Sequence, residues 1–216
     1  MSATSRPVSR KARLDSIFPT ARVLLVKRSL AGLDLGSFKR VLVVGAGWDP
    51  YRHLFPAAQR YIAMDILPTR GVTDCIGEAA ALPVRNSSVD CVVASEVFEH
   101  LVNPLKFVAQ SYDALAPNGV VILTVPFMFH QHADPADFWR PTRTALTEAF
   151  AQFSEVKVTS QGNRLHAMSD LLTTAFSPYP VFYPLRIFNW LLNIIVFSSK
   201  ERESTAPSGF LVVAKK

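Results

Sequence analysis

Two glycines and an aspartate have the types and spacing that binding of a nucleotide-like molecule requires. Gly45 and Gly47 follow the apolar run 41–44, and because glycine lacks a Cβ, a turn built from them lets the backbone approach a ligand closely. Asp65 ends the next apolar run, where a carboxylate can accept hydrogen bonds from both hydroxyls of a ribose. The pattern predicts a ribose-containing ligand, and the alternative is a tight turn between strand and helix that holds no ligand.

The residue at position 50 argues against NAD or FAD as that ligand. A dinucleotide site favours a third glycine there, because the pyrophosphate needs a close approach of the helix. Pro50 occupies the position instead, directly after Asp49. This pair has the residue types of a helix N-cap and a first helical residue, so a helix is predicted to begin at Pro50.

Titratable side chains cluster in two further segments. Ser95, Glu96, Glu99 and His100 follow the apolar run 89–94, and for Glu99 and His100 a role in capping the turn is the alternative to contact with a ligand. The second segment follows another apolar run and holds His130, His132, Asp134, Asp137, Trp139 and Arg140. Imidazole and carboxylate groups in such density could move protons or hold a metal.

Seven short runs rich in β-branched residues must position these side chains. They are RVLVVGA, RYIAMDI, VTDCIG, VDCVVAS, GVVILTVP, SEVKVTS and GFLVVAKK. Helix-like segments alternate with the first five, a pattern typical of a parallel sheet with both faces covered. Asn103 followed by Pro104 marks the start of one helix, which is predicted to end at 117–119. Its predicted apolar face consists of Leu105, Val108, Ala109, Tyr112, Leu115 and Ala116. The sequence therefore predicts an α/β fold.

The stretch from position 41 to position 104 resembles the class I methyltransferases that use S-adenosylmethionine (SAM), in particular small bacterial enzymes of the "type 11" kind. The pieces that carry the resemblance are VLVVGAG, YIAMD, GEAAALP, SSVDCVVASEVFEHLVNP and, just after this stretch, ALAPNGVVILTVP. The resemblance implies a Rossmann-like, seven-stranded, mostly parallel sheet with helices on both faces and the last strand antiparallel. It also implies SAM as the cofactor and methyl transfer as the reaction.

The same resemblance implies roles for the residues around the glycine turn. Gly45 and Gly47 are expected beside the methionyl part of SAM. Asp65 is expected to bind the ribose hydroxyls, and Ile66 to pack on the adenine.

Five further residues are expected around the cofactor by resemblance. Glu78 and Ala79 would contact the edge of the adenine. Ser95 and Glu96 would line the methionyl pocket, with His100 on the next turn of the chain. The carboxyl edge of a parallel sheet is where open α/β folds bind ligands.

The segment after the fifth predicted strand is expected to bind the methyl acceptor. It resembles a histidine-rich stretch found in methyltransferases of bacterial surface-polysaccharide and lipid biosynthesis, so a small-molecule, sugar or lipid-linked acceptor is expected. Methylation of a hydroxyl needs a base, and His132 is the candidate, with Asp137 and Arg140 beside it. The alternative is that Asp137 and Arg140 form a salt bridge that fixes the loop while His130 and His132 face solvent.

His130, His132 and Asp134 have residue types that could bind a metal ion. The chain supplies no convincing fourth ligand for these three. The sequence therefore predicts an enzyme without a bound metal.

The N-terminal residues are strongly basic. Residues 1–40 carry nine Lys and Arg against two Asp, a net charge of +7 on a chain whose total is +6. We expect a basic arm and helix over 1–38 and the SAM-binding domain over 39–216. The arm could contact anionic lipid, nucleic acid or an acidic partner, or it could be a solvated terminus. Because no secretory signal is evident, a cytoplasmic location is expected, with membrane contact as an open alternative.

An apolar helical insertion is predicted at about 177–199. Within it, VFYPLRIFNWLLNIIVF (181–197) has Arg186, Asn189 and Asn193 on one narrow stripe. Three interpretations are open: a helix over the active site or packed on the sheet, a helix lying in a membrane interface, and a membrane span.

Two rival functions remain from the sequence alone. One is a non-catalytic subunit with a methyltransferase-like fold that binds a partner or a membrane, which the intact Gly45, Gly47 and Asp65 disfavour. The other is a nucleic-acid methyltransferase, suggested by the basic arm. The Asn/Asp-Pro-Pro-aromatic tetrapeptide of amino-methylating nucleic-acid enzymes is absent from the chain, which disfavours the second rival.

Overall fold

A seven-stranded sheet is the centre of the structure, a computed structural model that describes residues 19–132, 136–176, 179–197 and 204–216. The strands are β1 (Arg40–Val44), β2 (Arg60–Asp65), β3 (Cys75–Ile76), β4 (Val89–Ser95), β5 (Leu115–Pro126), β6 (Glu155–Gln161) and β7 (Gly209–Lys215). Their spatial order is β3, β2, β1, β4, β5, β7, β6. β7 runs antiparallel to both of its neighbours, and the remaining pairs are parallel. The predicted α/β fold with an antiparallel last strand is confirmed.

Five helices accompany the sheet in the described residues. They are α1 (Ala21–Ala31), α2 (Pro104–Ala114), α3 (Arg143–Ala149), α4 (Arg164–Phe176) and α5 (Tyr183–Phe197). The side chains of Thr20, Asn103 and Thr142 accept hydrogen bonds from backbone N–H groups in the first turns of α1, α2 and α3. These caps satisfy donors that a helix start leaves without partners, so the three helices begin where the sequence supplies a cap.

Two hydrophobic cores lie on the two faces of the sheet. In β1, Val41 and Val43 pack in the core that contains Val26 of α1. Leu42 and Val44 point the other way, into the core that contains residues of α2 and α3. Successive side chains of a strand face opposite sides, so the continuous apolar run of β1 reflects burial on both faces.

The prediction that a helix begins at Pro50 is wrong. A single turn of 3-10 helix, Arg52–Leu54, stands there instead. Asp49 has a positive φ of 44°, and its carboxylate accepts hydrogen bonds from the Tyr61 hydroxyl (2.6 Å) and from Arg52 Nε (3.0 Å). The side chain is thus used to tie the turn to β2 and is not available as a cap.

The predicted start of α2 is confirmed, but its predicted apolar face is partly wrong. Leu105 is 60% exposed, whereas Phe107 and Val108 are fully buried. The helix also ends at Ala114, so Leu115 already belongs to β5. The buried face is therefore centred one position away from the one that the spacing predicted.

Helix α5 presents its apolar residues outward. Arg186 is buried, and Asn189 Nδ2 donates to Thr173 Oγ1 of α4 at 3.4 Å. Phe188 and Leu191 are 58% and 49% exposed. The polar stripe predicted from the sequence therefore packs against α4 at Arg186 and Asn189, while the side chain of Asn193 lies outside the described residues. Among the helices that the structure describes, none has the length and hydropathy that crossing a membrane requires.

Helix α1 carries an arginine that is buried beneath the carboxyl edge of the sheet. Arg22 is 3% exposed. Its guanidinium donates to both carboxylate oxygens of Glu96, from Nε (2.8 Å) and Nη2 (2.5 Å), and to Gln161 Oε1 from Nη1 (2.7 Å). This ion pair joins α1 to the residue that follows β4. Residues 1–18 of the basic arm lie outside the described residues, and the division at residue 38 stays a prediction.

A second buried carboxylate lies beside Arg22. Asp170 of α4 accepts hydrogen bonds from the Arg22 backbone N–H and from Ser208 Oγ, both at 3.2 Å. Burial raises the pKa of Asp170 to about 6, although these hydrogen bonds and the Arg22 charge act in the opposite direction. The native protein therefore binds a proton at Asp170 more tightly than the unfolded chain does.

We expect this difference to make stability depend on pH. An ordinary aspartate has a pKa of about 3.9, so the native-state preference for the protonated form is fully present below about pH 4 and is lost as the pH rises through about 6. Between these limits the unfolding free energy of the wild type should fall by about 2–3 kcal/mol relative to Asp170→Asn. Urea unfolding from pH 4 to 7.5 measures this, with the exposed Asp34→Asn as the control, and parallel curves for wild type and Asp170→Asn would contradict it.

Candidate active site

A cavity of about 610 Å³ opens at the carboxyl edge of the sheet, where β1, β2 and β4 end. Strand order reverses between β1 and β4, which is the place where open α/β sheets bind ligands. The cavity wall includes eight residues predicted to bind the cofactor: Gly45, Gly47, Asp65, Ile66, Glu78, Ala79, Glu96 and His100. The predicted cofactor set is thus brought together at one opening, with the exception of Ser95.

The glycine turn has the backbone that its sequence predicts. Gly45 and Gly47 both have positive φ, 66° and 52°, a region that residues with a Cβ enter only at a cost. A Cβ at Gly45 would collide with the side chain of Val97, whereas none of the described atoms lies within 4 Å of one at Gly47. Gly45 is therefore required by packing, and Gly47 leaves open space toward the cavity.

Asp65 is held at the end of β2 by backbone donors. Its Oδ2 accepts from Gly47 N at 2.8 Å and its Oδ1 from Leu67 N at 3.0 Å. Each carboxylate oxygen can accept two hydrogen bonds. The fixed carboxylate thus keeps capacity for two hydroxyl donors on the cavity side.

One wall of the cavity is apolar and partly exposed. Ile66 and Leu67 follow Asp65 and expose about half of their side chains or more. Glu78 and Ala79 follow β3, the strand that pairs with β2. They contribute a carboxylate and a buried methyl group to the cavity lining. Such a wall suits a flat ring that has one polar edge.

The two residues predicted for the methionyl pocket differ in position. Ser95 does not line the cavity, and its Oγ lies 3.0 Å from Thr124 Oγ1 and 3.5 Å from Tyr51 Oη. Glu96 does line it, and its carboxylate is held by Arg22 and accepts from Thr124 Oγ1 at 2.9 Å. Glu96 is therefore fixed in place by partners outside the cavity.

Glu99 and His100 form a turn of 3-10 helix, Phe98–His100, after β4. His100 lines the cavity, and its Nδ1 lies 2.5 Å from the carbonyl oxygen of Ala136. Glu99 is completely buried. Burial, together with the nearby charge of Glu96, raises the pKa of Glu99 to about 8. An apolar site with a second carboxylate close by disfavours the ionised form.

His132, Asp137 and Arg140 are brought together next to this turn. Asp137 accepts from both Arg140 terminal nitrogens, at 2.5 Å each, and from the His132 backbone N–H at 2.9 Å. His132 Nδ1 lies 3.3 Å from Asp137 Oδ2. Burial alone would raise the pKa of Asp137, but these partners outweigh it and the pKa lies below its ordinary value.

The three residues lie beside the cavity and do not line it. The ring of His132 meets the ring of His100 edge to face, with 5.0 Å between centroids. The Asp137–Arg140 salt bridge of the alternative interpretation is present, but His132 is half-buried and does not face solvent freely. The role of His132 as a base stays a prediction. Asp134 lies outside the described residues.

Comparison with known proteins identifies the family. Residues 24–154, more than half of the chain, match a family described as a methyltransferase domain. The chain belongs to this family. It is a SAM-dependent methyltransferase of class I, and this identification favours the catalytic interpretation over a non-catalytic subunit.

Individual relatives agree with this assignment. A stretch of 50 residues is 40% identical to a protein of Mycolicibacterium smegmatis described as a probable SAM-dependent methyltransferase; it covers 23% of this chain and 20% of that relative. A SAM-dependent methyltransferase from Archaeoglobus fulgidus superposes with a TM-score of 0.63 at 16% identity, over 96% of this chain and 100% of that one. Phosphoethanolamine N-methyltransferase 2 of Haemonchus contortus, solved with SAM, gives 0.56 at 15% identity, over 90% and 52%.

The cavity of the methyltransferase fits the cofactor of its family. Its volume lies within the usual range for small-molecule sites, about 300–1,000 Å³. The Asp65 carboxylate could hold the ribose hydroxyls, and the wall beside Ile66 could hold the adenine. Gly47 leaves room for the methionyl part, because a side chain there would enter the open space.

Sequence reasoning missed several residues of the cavity wall in the methyltransferase. They are Val44, Trp48, Met64, Leu67, Thr69, Gly77, Ala80, Val97, Leu101, Val102 and Asn103. Most are neighbours of the motifs, so a window of two residues around each motif would have found them. Thr69 and Asn103 fall outside such a window, because each lies three residues from the nearest predicted residue. Val97 falls inside the window, next to Glu96, but its contact with Gly45 depends on the fold.

Removing the Asp65 carboxylate is expected to weaken cofactor binding. Hydrogen bonds to a charged group contribute about 1.5–3 kcal/mol, so Asp65→Ala should bind S-adenosylhomocysteine about 30-fold or more weakly than the wild type. Calorimetric titration with SAM and S-adenosylhomocysteine measures this, with NAD as the counter-ligand and the exposed Asp34→Asn as the matched control. Equal affinity of Asp65→Ala and wild type would show that this carboxylate does not hold the ribose.

Proposed function

We propose that the methyltransferase moves the methyl group of SAM to a hydroxyl of a small-molecule, sugar or lipid-linked acceptor. In this proposal Gly45, Gly47 and Asp65 hold the cofactor, with Ile66, Glu78, Ala79, Glu96 and His100 completing its site. His132 is the group that receives the acceptor proton. The observation that carries the proposal is the contact of His132 with His100 at the wall of the cavity, with Asp137 beside its other face.

The arrangement around His132 suits proton removal. SAM, when bound, supplies the methyl group as an electrophilic carbon on a sulfonium. Asp137 Oδ2 lies 3.3 Å from His132 Nδ1 without a hydrogen bond between them. The negative charge of Asp137 favours a proton on Nδ1, so Nε2 is left to accept one from the acceptor hydroxyl. Once His132 is charged, the Asp137 carboxylate stabilises it, and Arg140 keeps that carboxylate ionised and oriented.

Two neighbouring helices support an acceptor that is bound to a membrane surface. Helix α4 exposes Leu165, Met168 and Leu172, and α5 exposes Phe188 and Leu191. The only acidic residue between positions 164 and 197 is Asp170, which is buried. Apolar side chains without acidic neighbours suit the boundary between headgroups and acyl chains of an anionic bilayer.

The proposal is tested by following the methyl group. The protein is incubated with methyl-labelled SAM and separate pools of free sugars, nucleotide sugars, phenols and lipid-linked intermediates, and the product is isolated. We expect label in one pool, on an oxygen, as located by fragmentation in mass spectrometry. Transfer of label only to amine or carbon acceptors would overturn the O-methylation proposal.

Flotation with liposomes tests the membrane surface. We expect the wild type to float with vesicles that contain anionic lipid, and Phe188→Asp/Leu191→Asp to remain in the bottom fraction, because two charges in the interface oppose insertion. A matched control is Ile76→Asp/Leu105→Asp, which changes two exposed apolar residues away from α4 and α5 and outside the cavity wall. Equal flotation of wild type and the α5 variant would exclude this surface, and a dimer found by light scattering only in the wild type would identify a second copy as its occupant.

A further inference from the structure

Glu99 is a buried carboxyl group that the structure leaves without a hydrogen-bond partner. It exposes none of its surface, and neither of its carboxylate oxygens is hydrogen-bonded to any described atom. The nearest ionisable atom is His100 Nε2, 3.7 Å from Glu99 Oε1. Buried carboxyl groups are normally hydrogen-bonded, paired or bound to a metal. Glu99 therefore requires a proton or a cation beside it.

The protonation of His100 follows from its other ring nitrogen. Nδ1 lies 2.5 Å from the carbonyl oxygen of Ala136, and because a carbonyl oxygen only accepts hydrogen bonds, Nδ1 carries the proton. Nε2 of a ring that is protonated at Nδ1 alone presents a lone pair toward Glu99. When Glu99 is ionised, two acceptors face each other at this point, and either a proton on Glu99 or a cation between the two groups would stabilise them.

His132 completes the group. The atoms that Glu99, His100 and His132 can offer as ligands all lie within 4.8 Å of one another. Because Asp137 lies beside His132 Nδ1, Nε2 is the nitrogen left for a ligand bond. Metal-bound histidines usually donate their other N–H to a carboxylate or a backbone carbonyl. The Ala136 carbonyl has this position for His100, and the Asp137 carboxylate lies 3.3 Å from His132 Nδ1 without a hydrogen bond between them.

We propose that Glu99, His100 and His132 bind one divalent transition-metal ion. Two imidazoles and one carboxylate form a ligand set that suits zinc, iron or manganese better than magnesium. Metal–ligand distances of about 2.0–2.2 Å require the three side chains to move closer by roughly an ångström. Three protein ligands leave coordination positions for water or substrate.

The site rests on the proposed O-methylation and keeps its cofactor site, but it replaces the role of His132 as the proton acceptor with that of a metal ligand. His100 belongs to the cavity wall, so the ion would lie where an acceptor hydroxyl can reach it. As a Lewis acid it would lower the pKa of that hydroxyl, whose proton leaves to water. The oxygen then forms the bond to the methyl carbon, while the carbon–sulfur bond breaks and its electron pair stays on sulfur. In this chemistry His132 is a ligand, and it is not the base.

Titration of the purified, chelator-treated protein with Co²⁺ and Zn²⁺ tests the site. We expect the wild type to bind one equivalent, with visible absorption from Co²⁺ in an imidazole-containing site, and weaker binding of Mg²⁺. Glu99→Gln and His132→Gln should each weaken Zn²⁺ binding by about 100-fold or more, because loss of a ligand exceeds the 10–100-fold effect of outer-shell changes. Glu148→Gln and His53→Gln, which alter exposed residues, are the controls and should bind like the wild type.

Binding of S-adenosylhomocysteine, measured on the same samples, separates this site from the cofactor site. We expect Glu99→Gln and His132→Gln to bind S-adenosylhomocysteine with the affinity of the wild type. A wild type that binds S-adenosylhomocysteine but neither Co²⁺ nor Zn²⁺ overturns the metal site and leaves His132 as the base. Undiminished Zn²⁺ binding in both ligand variants also overturns it. If Glu99→Gln does not fold, His132→Gln alone decides.

Discussion

His132→Gln is expected to lower kcat for acceptor methylation by about 10²–10⁴-fold, the usual contribution of a positioned acid or base. The side chain lies against His100 at the cavity wall and beside Asp137. Glutamine fills similar space but can neither take up a proton nor supply an imidazole nitrogen to a metal, so the loss is expected for His132 as a base and for His132 as a ligand. The measurement is the steady-state rate with an acceptor identified by label transfer, together with the affinity for S-adenosylhomocysteine.

The control separates loss of chemistry from loss of structure. His53→Gln changes an exposed histidine in the 3-10 turn after β1 and should retain the wild-type rate. The kcat of Asp137→Asn should lie between those of His132→Gln and His53→Gln, because the imidazole of His132 remains while its neighbour at position 137 loses its charge. A His132 variant with normal kcat and a raised KM would mean that the residue only binds the acceptor.

Arg22→Met is expected to lower the unfolding free energy by about 1.5–3 kcal/mol, the usual contribution of hydrogen bonds to a charged group, because the Glu96 carboxylate left behind is partly open to the cavity. Methionine retains the apolar length of the side chain. The carboxylate of Glu96 would lose both of its guanidinium donors, and Gln161 Oε1 would lose the hydrogen bond from Arg22 Nη1. Urea unfolding at neutral pH measures the change.

A double substitution tests whether the buried charge causes this loss. Arg22→Met/Glu96→Gln removes the uncompensated carboxylate, so its stability should recover part of the deficit, and the coupling energy between the two positions should exceed about 1 kcal/mol. Arg28→Met, in the last turn of the same helix, is the comparison for a general effect on α1. Additive losses at positions 22 and 96 would show that the ion pair is not what stabilises this edge of the sheet.

Most of the sheet could be predicted from the sequence, because parallel strands that are buried on both faces leave continuous β-branched runs. The glycine turn and Asp65 were likewise predictable, since each depends on neighbours in the chain. The helix at Pro50 was not, because Asp49 is used by Tyr61 and Arg52. Contacts between distant segments override a local capping signal.

The Glu99, His100 and His132 group was missed for the same reason. In the sequence His132 stands next to His130 and Asp134, whereas the partners that it meets in the fold come from the turn after β4. Likewise, the spacing of Arg186 and Asn189 revealed a polar stripe on α5, but only the fold shows that the stripe faces α4. A periodic pattern gives a face of a helix and does not tell which way that face points.

The position of β7 between β5 and β6 has a consequence for local opening of the molecule. β6 has no other neighbour in the described sheet, so its inward-facing amides depend entirely on β7. Any fluctuation that releases β7 also frees β6, whereas β5 remains paired with β4. Amide hydrogen exchange should therefore group β6 and β7 into one cooperative unit, less protected than β1, β4 and β5.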